Sequence, residues 1–191
     1  MSALAILKFT VDEYLAEEEK STVKHEYYKG EIFAMAGASI AHNSVCSNVH
    51  VEIGAHLKNK KCKVFQSDLK IHIQSNSLFT YPDLSIVCNG VKTLPNYPDV
   101  VINPSIIIEV LSPTTQDYDR GGKFKLYRDI ETLTEYILIS SKEILVEKYT
   151  KQPNDSWLLT EFKTVNDALE IIGIGMKLKL LTIYNEVTIT T

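Results

Sequence analysis

The 191-residue sequence predicts an α/β (α+β) fold, a mixed β-sheet flanked by helices, with an N-terminal helix and hairpin. Three observations carry this. Val45, Val49, Ile53 and Leu57 recur every fourth residue, the apolar stripe of a long amphipathic helix. The run Ile106–Leu111 is apolar except for one acid, the pattern of a strand buried on both faces. Helical and strand-like segments are interspersed along the chain, which calls for a sheet with helices packed on it.

In chain order, Thr10-Val11-Asp12-Glu13 has the form of a capping box, and Val11, Tyr14 and Leu15 fall on one helical face, so a first helix runs from there to near Ser21. β-formers over residues 24–35 surround Lys29-Gly30 and predict a hairpin. The long helix starts near Ser39 and runs to about Lys60. Residues 62–65 and 69–73 read as short strands, followed by a polar Ser/Asn loop and a strand over residues 81–87. After Leu111 a connection containing Pro and Gly leads to a helix around residues 123–130, then to strands over 136–139, 144–149 and 157–162.

Composition bounds the function. With 45% hydrophobic residues and no repeat or linker, residues 1–191 read as one domain, large enough to bury about 70% of its unfolded surface. Eight Gly and six Pro exclude a low-complexity chain. A net charge of -4 and an isoelectric point near 5.7 argue against a generally basic nucleic-acid coat. Cys46, Cys62 and Cys88 are odd in number, widely spaced and form no CxxC pair, so reduced, mostly buried thiols are expected rather than a disulfide framework or a zinc site. Residues 1–9 lack the long apolar region of a signal peptide, and no stretch approaches a membrane span. The expected location is cytoplasmic, with no membrane partner.

Several motifs of catalysis fail. Gly37-Ala38-Ser39-Ile40-Ala41 lacks the last glycine of a nucleophile elbow, and Gly121-Gly122-Lys123-Phe124 lacks the Ser/Thr of a phosphate loop. His42, His50 and His56 share the long helix without the four-residue spacing of a helical metal site, and each reads as a solvated or hydrogen-bonded helix residue. The carboxylates say more. Asp83 follows Pro82 at the start of an apolar strand, and Glu109 interrupts Ile106–Leu111. A charge in a buried strand is costly unless paired or metal-bound. Glu109 therefore has two readings: it reaches water or an arginine near the strand's end, or it joins Asp83 from a neighbouring strand in a cluster suited to Mg²⁺. Lys123 likewise reads either as a surface partner of Asp119, four residues earlier, or as a cation beside that cluster.

At these residues the chain resembles a bacterial restriction-endonuclease family, formerly a domain of unknown function, within the PD-(D/E)XK nuclease superfamily. The matching segments are residues 24–31, 35–39, His42-Asn43, Tyr81-Pro82-Asp83, Glu109-Val110-Leu111-Ser112-Pro113, Asp119 through Lys123 to Tyr127, and Glu135-Tyr136. The resemblance implies a restriction-endonuclease-like core and hydrolysis of phosphodiester bonds with Mg²⁺ (or Mn²⁺). Asp83 and Glu109 fall on its metal ligands, with the Val110 carbonyl as a third. The superfamily places a lysine two residues after the second acid. Here that residue is Leu111, and the resemblance points instead to Lys123, with Lys125 as fallback. Glu26 matches a recurrent acid, although a hairpin glutamate is more often structural, and Tyr127 packs the helix on the sheet.

Two functions are therefore expected. One is a metal-dependent endonuclease acting on DNA, double-stranded in the first instance, with a homodimer suited to cutting both strands. The alternative is an inactive nuclease-like module that binds nucleic acid or protein, favoured by Leu111 and the acidic net charge. Lys58, Lys60, Lys61, Lys63 and Lys70, against the single acid Asp68, form one candidate DNA patch, although a helix end also favours cations. Arg120, Lys123, Lys125 and Arg128 form a second.

Overall fold

The structure is a computed structural model that describes residues 8–189. Of the N-terminal segment searched for a signal peptide, residues 1–7 lie outside the described residues. Helix α1 (Val11–Glu18) is closed by the expected capping box: the Thr10 hydroxyl accepts the Glu13 N–H at 3.2 Å and the Glu13 carboxylate accepts the Thr10 N–H at 2.8 Å. It stops short of Ser21, because its last turn carries no cation and the Ser21 hydroxyl bonds the backbone of Val23 instead. Strands β1 (His25–Tyr28) and β2 (Glu31–Ala34) form the hairpin. Its two turn residues, Lys29 and Gly30, both have positive φ, the geometry that matches strand twist in a two-residue loop.

Helix α2 (Ile40–Leu57) is capped by the Ser39 hydroxyl, and its stripe of Val45, Val49, Ile53 and Leu57 is buried. Next come β3 (Cys62–Gln66), β4 (Lys70–Ile73), β5 (Leu78–Thr80), β6 (Leu84–Cys88), β7 (Thr93–Leu94), β8 (Tyr97–Val101) and β9 (Ile106–Leu111). Three of these, β5, β7 and β8, lie where the sequence shows no period; they are ordered by their neighbours in the sheet. The helix expected over residues 123–130 begins earlier and is broken. It comprises α3 (Gln116–Tyr118), a π-helical turn (Asp119–Lys123) and α4 (Phe124–Tyr127). The chain ends with β10 (Glu135–Ser140), β11 (Val146–Lys151), β12 (Trp157–Phe162), β13 (Ala168–Ile171), β14 (Met176–Lys179) and α5 (Leu180–Ile183).

The strands form two mixed sheets, with a separate β13–β14 hairpin. One sheet has the order β2-β1-β5-β4-β8-β7, with β4 and β8 parallel. The other has the order β12-β11-β10-β9-β6-β3, with β9 and β10 parallel. Strand alternation assigns each face of the second sheet a different neighbour. Ile106, Ile108 and Val110 pack with α2, β13–β14 and α5. Ile107 and Leu111 pack with α4 and the first sheet. Beyond the first sheet, Tyr14 and Leu15 of α1 cover Tyr27, Phe79 and Val100. Glu109 shares the parity of Ile107 and Leu111, so its carboxyl points between the two sheets.

The expectation of three reduced thiols is corrected. The antiparallel register of β3 with β6 sets Cys62 opposite Cys88, and the two form a disulfide across 26 positions of sequence. Cys46 alone is free. Among the described residues, no helix is long and apolar enough to cross a membrane.

Candidate active site

Asp83 stands one residue before β6, and the register Leu84↔Ile108 brings it beside Glu109. The two acids are tied through their backbones. The Asp83 N–H donates to Glu109 Oε2 at 3.1 Å, and the Val110 N–H donates to Asp83 Oδ2 at 2.7 Å. Lys123 completes the group from the π-helical turn: its Nζ lies 2.9 Å from Glu109 Oε1 and 3.0 Å from Glu26 Oε1, with Asp119 Oδ1 at 3.9 Å. Tyr127, one turn further, donates its hydroxyl to Glu109 Oε1 at 2.8 Å, and the Thr80 hydroxyl donates to Glu26.

Asp83, Glu109 and Lys123 are thus brought together, with the Val110 peptide against them. Of the alternatives open from sequence, neither surface reading fits. Lys123 is only 6% exposed, and Glu109, 4% exposed, meets a lysine rather than water or an arginine. Lys125 is exposed and makes no contact with the group. Arg120 belongs to the scaffold, since its guanidinium is held by Glu147 at 2.8 Å and by Gln116. The π-helical turn inserts one residue relative to an α-helix and so re-aims the side chains after it. It is anchored by the Tyr136 hydroxyl, which donates to the Asp119 carbonyl at 3.0 Å.

Two further residues enter the site: Glu26, which the resemblance marked as a recurrent acid, and His42, which the sequence left as an ordinary helix histidine. Glu26 on β1 reaches Lys123, and only the long-range pairing of β1 with β5 brings it there. His42, in the first turn of α2, is hydrogen-bonded as expected of a helix histidine, but its Nε2 meets Asp83 Oδ2 at 3.1 Å while its Nδ1 faces Cys46 Sγ at 3.6 Å. The i, i+4 spacing of His42 and Cys46 was the available signal.

The electrostatics derive from burial. Three carboxylates, Glu26, Glu109 and Asp119, surround the Lys123 ammonium, and a fourth, Asp83, lies beside Glu109 and against His42, so the group carries surplus negative charge. Burial pushes the Glu109 carboxyl up to about 7; the Lys123 ammonium opposes this, and the charges of Asp83 and Asp119 add to it. Burial likewise raises Asp119. Burial would lower Lys123, yet Glu109, Glu26 and Asp119 outweigh it and hold the ammonium charged well above its ordinary range. The same contest at His42 ends in a raised value, because the hydrogen bond and charge of Asp83 outweigh burial. The donor set fits a divalent cation: the adjacent Asp83 and Glu109 carboxylates are hard oxygen ligands, and a cation relieves the surplus charge.

The sequence profile of the Uma2 family, described as "Putative restriction endonuclease", matches residues 11–181. The chain is 36% identical over 177 residues to the uncharacterized protein slr1290 of Synechocystis sp., covering 93% of this chain and 92% of that protein. It is 37% identical over 161 residues to sll1609 of the same organism, also uncharacterized, covering 84% and 91% respectively. Among solved structures it is similar in fold to a "putative nuclease belonging to DUF820" from Anabaena variabilis, with a TM-score of 0.75 at 18% identity, over 94% of this chain and 99% of that one.

Proposed function

Since the chain belongs to the Uma2 family of "Putative restriction endonuclease" proteins, we propose that it is a metal-dependent endonuclease hydrolysing phosphodiester bonds of DNA at the Asp83–Glu109–Lys123 group. The observation that carries this reading is the surplus of buried and half-buried carboxylates at one spot. A buried acid without a counter-charge is costly, and here three acids, Glu26, Glu109 and Asp119, share one lysine while Asp83 lies against Glu109. Such a cost is characteristic of a site organised for function rather than stability.

Asp83, Glu109 and the Val110 carbonyl would hold Mg²⁺ or Mn²⁺. When bound, the ion supplies Lewis-acid polarisation of the phosphate and a lowered pKa of bound water. Lys123 donates from its ammonium to the attacking water and to the charge that grows on the phosphoryl oxygens. Glu26 and Thr80 hold that ammonium in place, and Tyr127 fixes Glu109. The position of Lys123 supports catalysis over the inactive-module alternative, because it supplies the cation that Leu111 does not. Exposed Lys125 and Arg128, close to the π-helical turn, suit contacts with DNA phosphates, and a homodimer suits cleavage of both strands.

The test is nicking and linearisation of plasmid DNA with Mg²⁺ or Mn²⁺. Asp83→Asn and Glu109→Gln are expected to abolish metal-dependent cleavage, and Lys123→Ala to lower it by about a hundredfold or more. Unchanged cleavage in the two carboxylate variants overturns the assignment.

A further inference from the structure

We propose that His42 is itself a ligand of the divalent cation, and that its imidazole makes the site select a first-row transition-metal ion over Mg²⁺; the inference rests on the metal-dependent reading above. The ligand atoms of His42, Cys46 and Asp83 all lie within 4.8 Å of one another. The two ring nitrogens of His42 are committed to opposite sides. Nδ1 turns along the helix to the Cys46 sulfur at 3.6 Å, and Nε2 turns to the Asp83 carboxylate at 3.1 Å. A metal-bound histidine is held in this way, with one nitrogen on the ion and the other on a neighbouring partner that fixes the ring. The ring is buried, and Ser39 fixes the start of its helix.

Neither of the other α2 histidines approaches Asp83: His56 Nε2 meets the Ile174 carbonyl at 2.9 Å, and the Nδ1 of His50 has no partner among the described residues. His42 therefore adds one nitrogen to a set otherwise made of carboxylate and carbonyl oxygen. Mg²⁺ prefers oxygen and retained water, whereas first-row transition ions accept imidazole. Mn²⁺ is the suitable probe, because it tolerates the oxygen ligands and reports its nitrogen neighbours by electron paramagnetic resonance.

The experiment titrates metal-free protein with Mn²⁺ and with Mg²⁺ by calorimetry and records the electron spin-echo envelope modulation of the Mn²⁺ complex. Mn²⁺ is expected to bind at least about tenfold more tightly than Mg²⁺, with imidazole nitrogen modulation in the wild type. His42→Gln should remove that modulation and weaken Mn²⁺ binding by about tenfold or more, while Mg²⁺ binding changes by less than about threefold. Mn²⁺ bound without nitrogen modulation in the wild type, a measurement that needs no variant to fold, overturns the role of His42 and leaves the carboxylate site standing. Absence of binding by either ion, or Mn²⁺ binding that survives Asp83→Asn, overturns both this inference and the reading beneath it.

Discussion

At the scale of single residues, the site is held by competition between burial and charge, and that competition is measurable without substrate. The Glu109 carboxyl moves from an ordinary value of 4.5 to about 7, and Asp119 and His42 are also raised. A group raised on folding binds more protons in the native state, so the stability it contributes is full below its unfolded value and is lost as pH rises through its folded one. In chelator, the thermal midpoint is therefore expected to fall as pH rises from about 4.5 to about 7. Calorimetry across that window checks it, and Glu109→Gln should flatten the slope. Glu13 and Asp167 act the opposite way, since hydrogen bonds to Thr10 and to the Thr164 and Lys163 backbone lower them; their contributions disappear only at more acidic pH. A saturating divalent cation should offset the loss near neutral pH, by about 2.7 kcal/mol at a hundred times its dissociation constant. Asp83 and Glu109 were legible from sequence because each is an acid set into apolar strand sequence. Glu26 and His42 were marked only by the family resemblance, because nothing local separates a hairpin glutamate or a helix histidine from its solvated counterparts.

At the scale of elements, the segment from Gln116 to Tyr127 shows where local patterning stops. Capping and periodicity placed α1 and α2 close to their observed positions, because both signals act within a few residues. The π-helical turn carries no such mark, and its glycines differ in what they permit. A Cβ on Gly122 would meet the Tyr118 ring at 2.8 Å, whereas one on Gly121 would meet nothing within 4 Å. A side chain is therefore accommodated at Gly121 and not at Gly122. An alanine inserted after Gly121 adds a residue that the turn does not absorb and rotates Lys123 by about 100° relative to the residues before it. Plasmid cleavage is expected to drop by about a hundredfold, the scale of loss for a misplaced catalytic group, with far-ultraviolet circular dichroism nearly unchanged. Retained cleavage would show that Lys123 does not act from this turn.

At the scale of the whole molecule, two sheets meet face to face and the carboxylates lie in the seam between them. The Cys62–Cys88 bond closes a segment containing β4 and β5 of one sheet and ends on β3 and β6 of the other. Closing a loop of that length restricts the unfolded chain by about 3 to 4 kcal/mol on the chain-entropy account. A reductant is expected to lower the thermal midpoint by several degrees without loss of the folded baseline, and alkylation followed by mass spectrometry should count one thiol before reduction and three after. Three alkylated thiols before reduction would restore the reading made from cysteine spacing alone.

Whatever depends on neighbours along the chain is legible in the residues alone: the capped helices, the Lys29-Gly30 hairpin, the fully apolar flanks of Glu109 in β9 and the two acids that break apolar runs. The family-wide motifs also pointed to Lys123 as the cation. Long-range packing sets the second sheet, the pairing of Cys62 with Cys88, the π-helical turn, and the meeting of Glu26 and His42 with Asp83, Glu109 and Lys123. The reason is physical. Helix caps and hydrophobic periods are set by contacts three or four residues away, whereas strand partners and buried charges are chosen by the free energy of the packed whole. In that whole, an acid from β1 and a histidine from α2 lie as near to the site as the strand that carries Glu109.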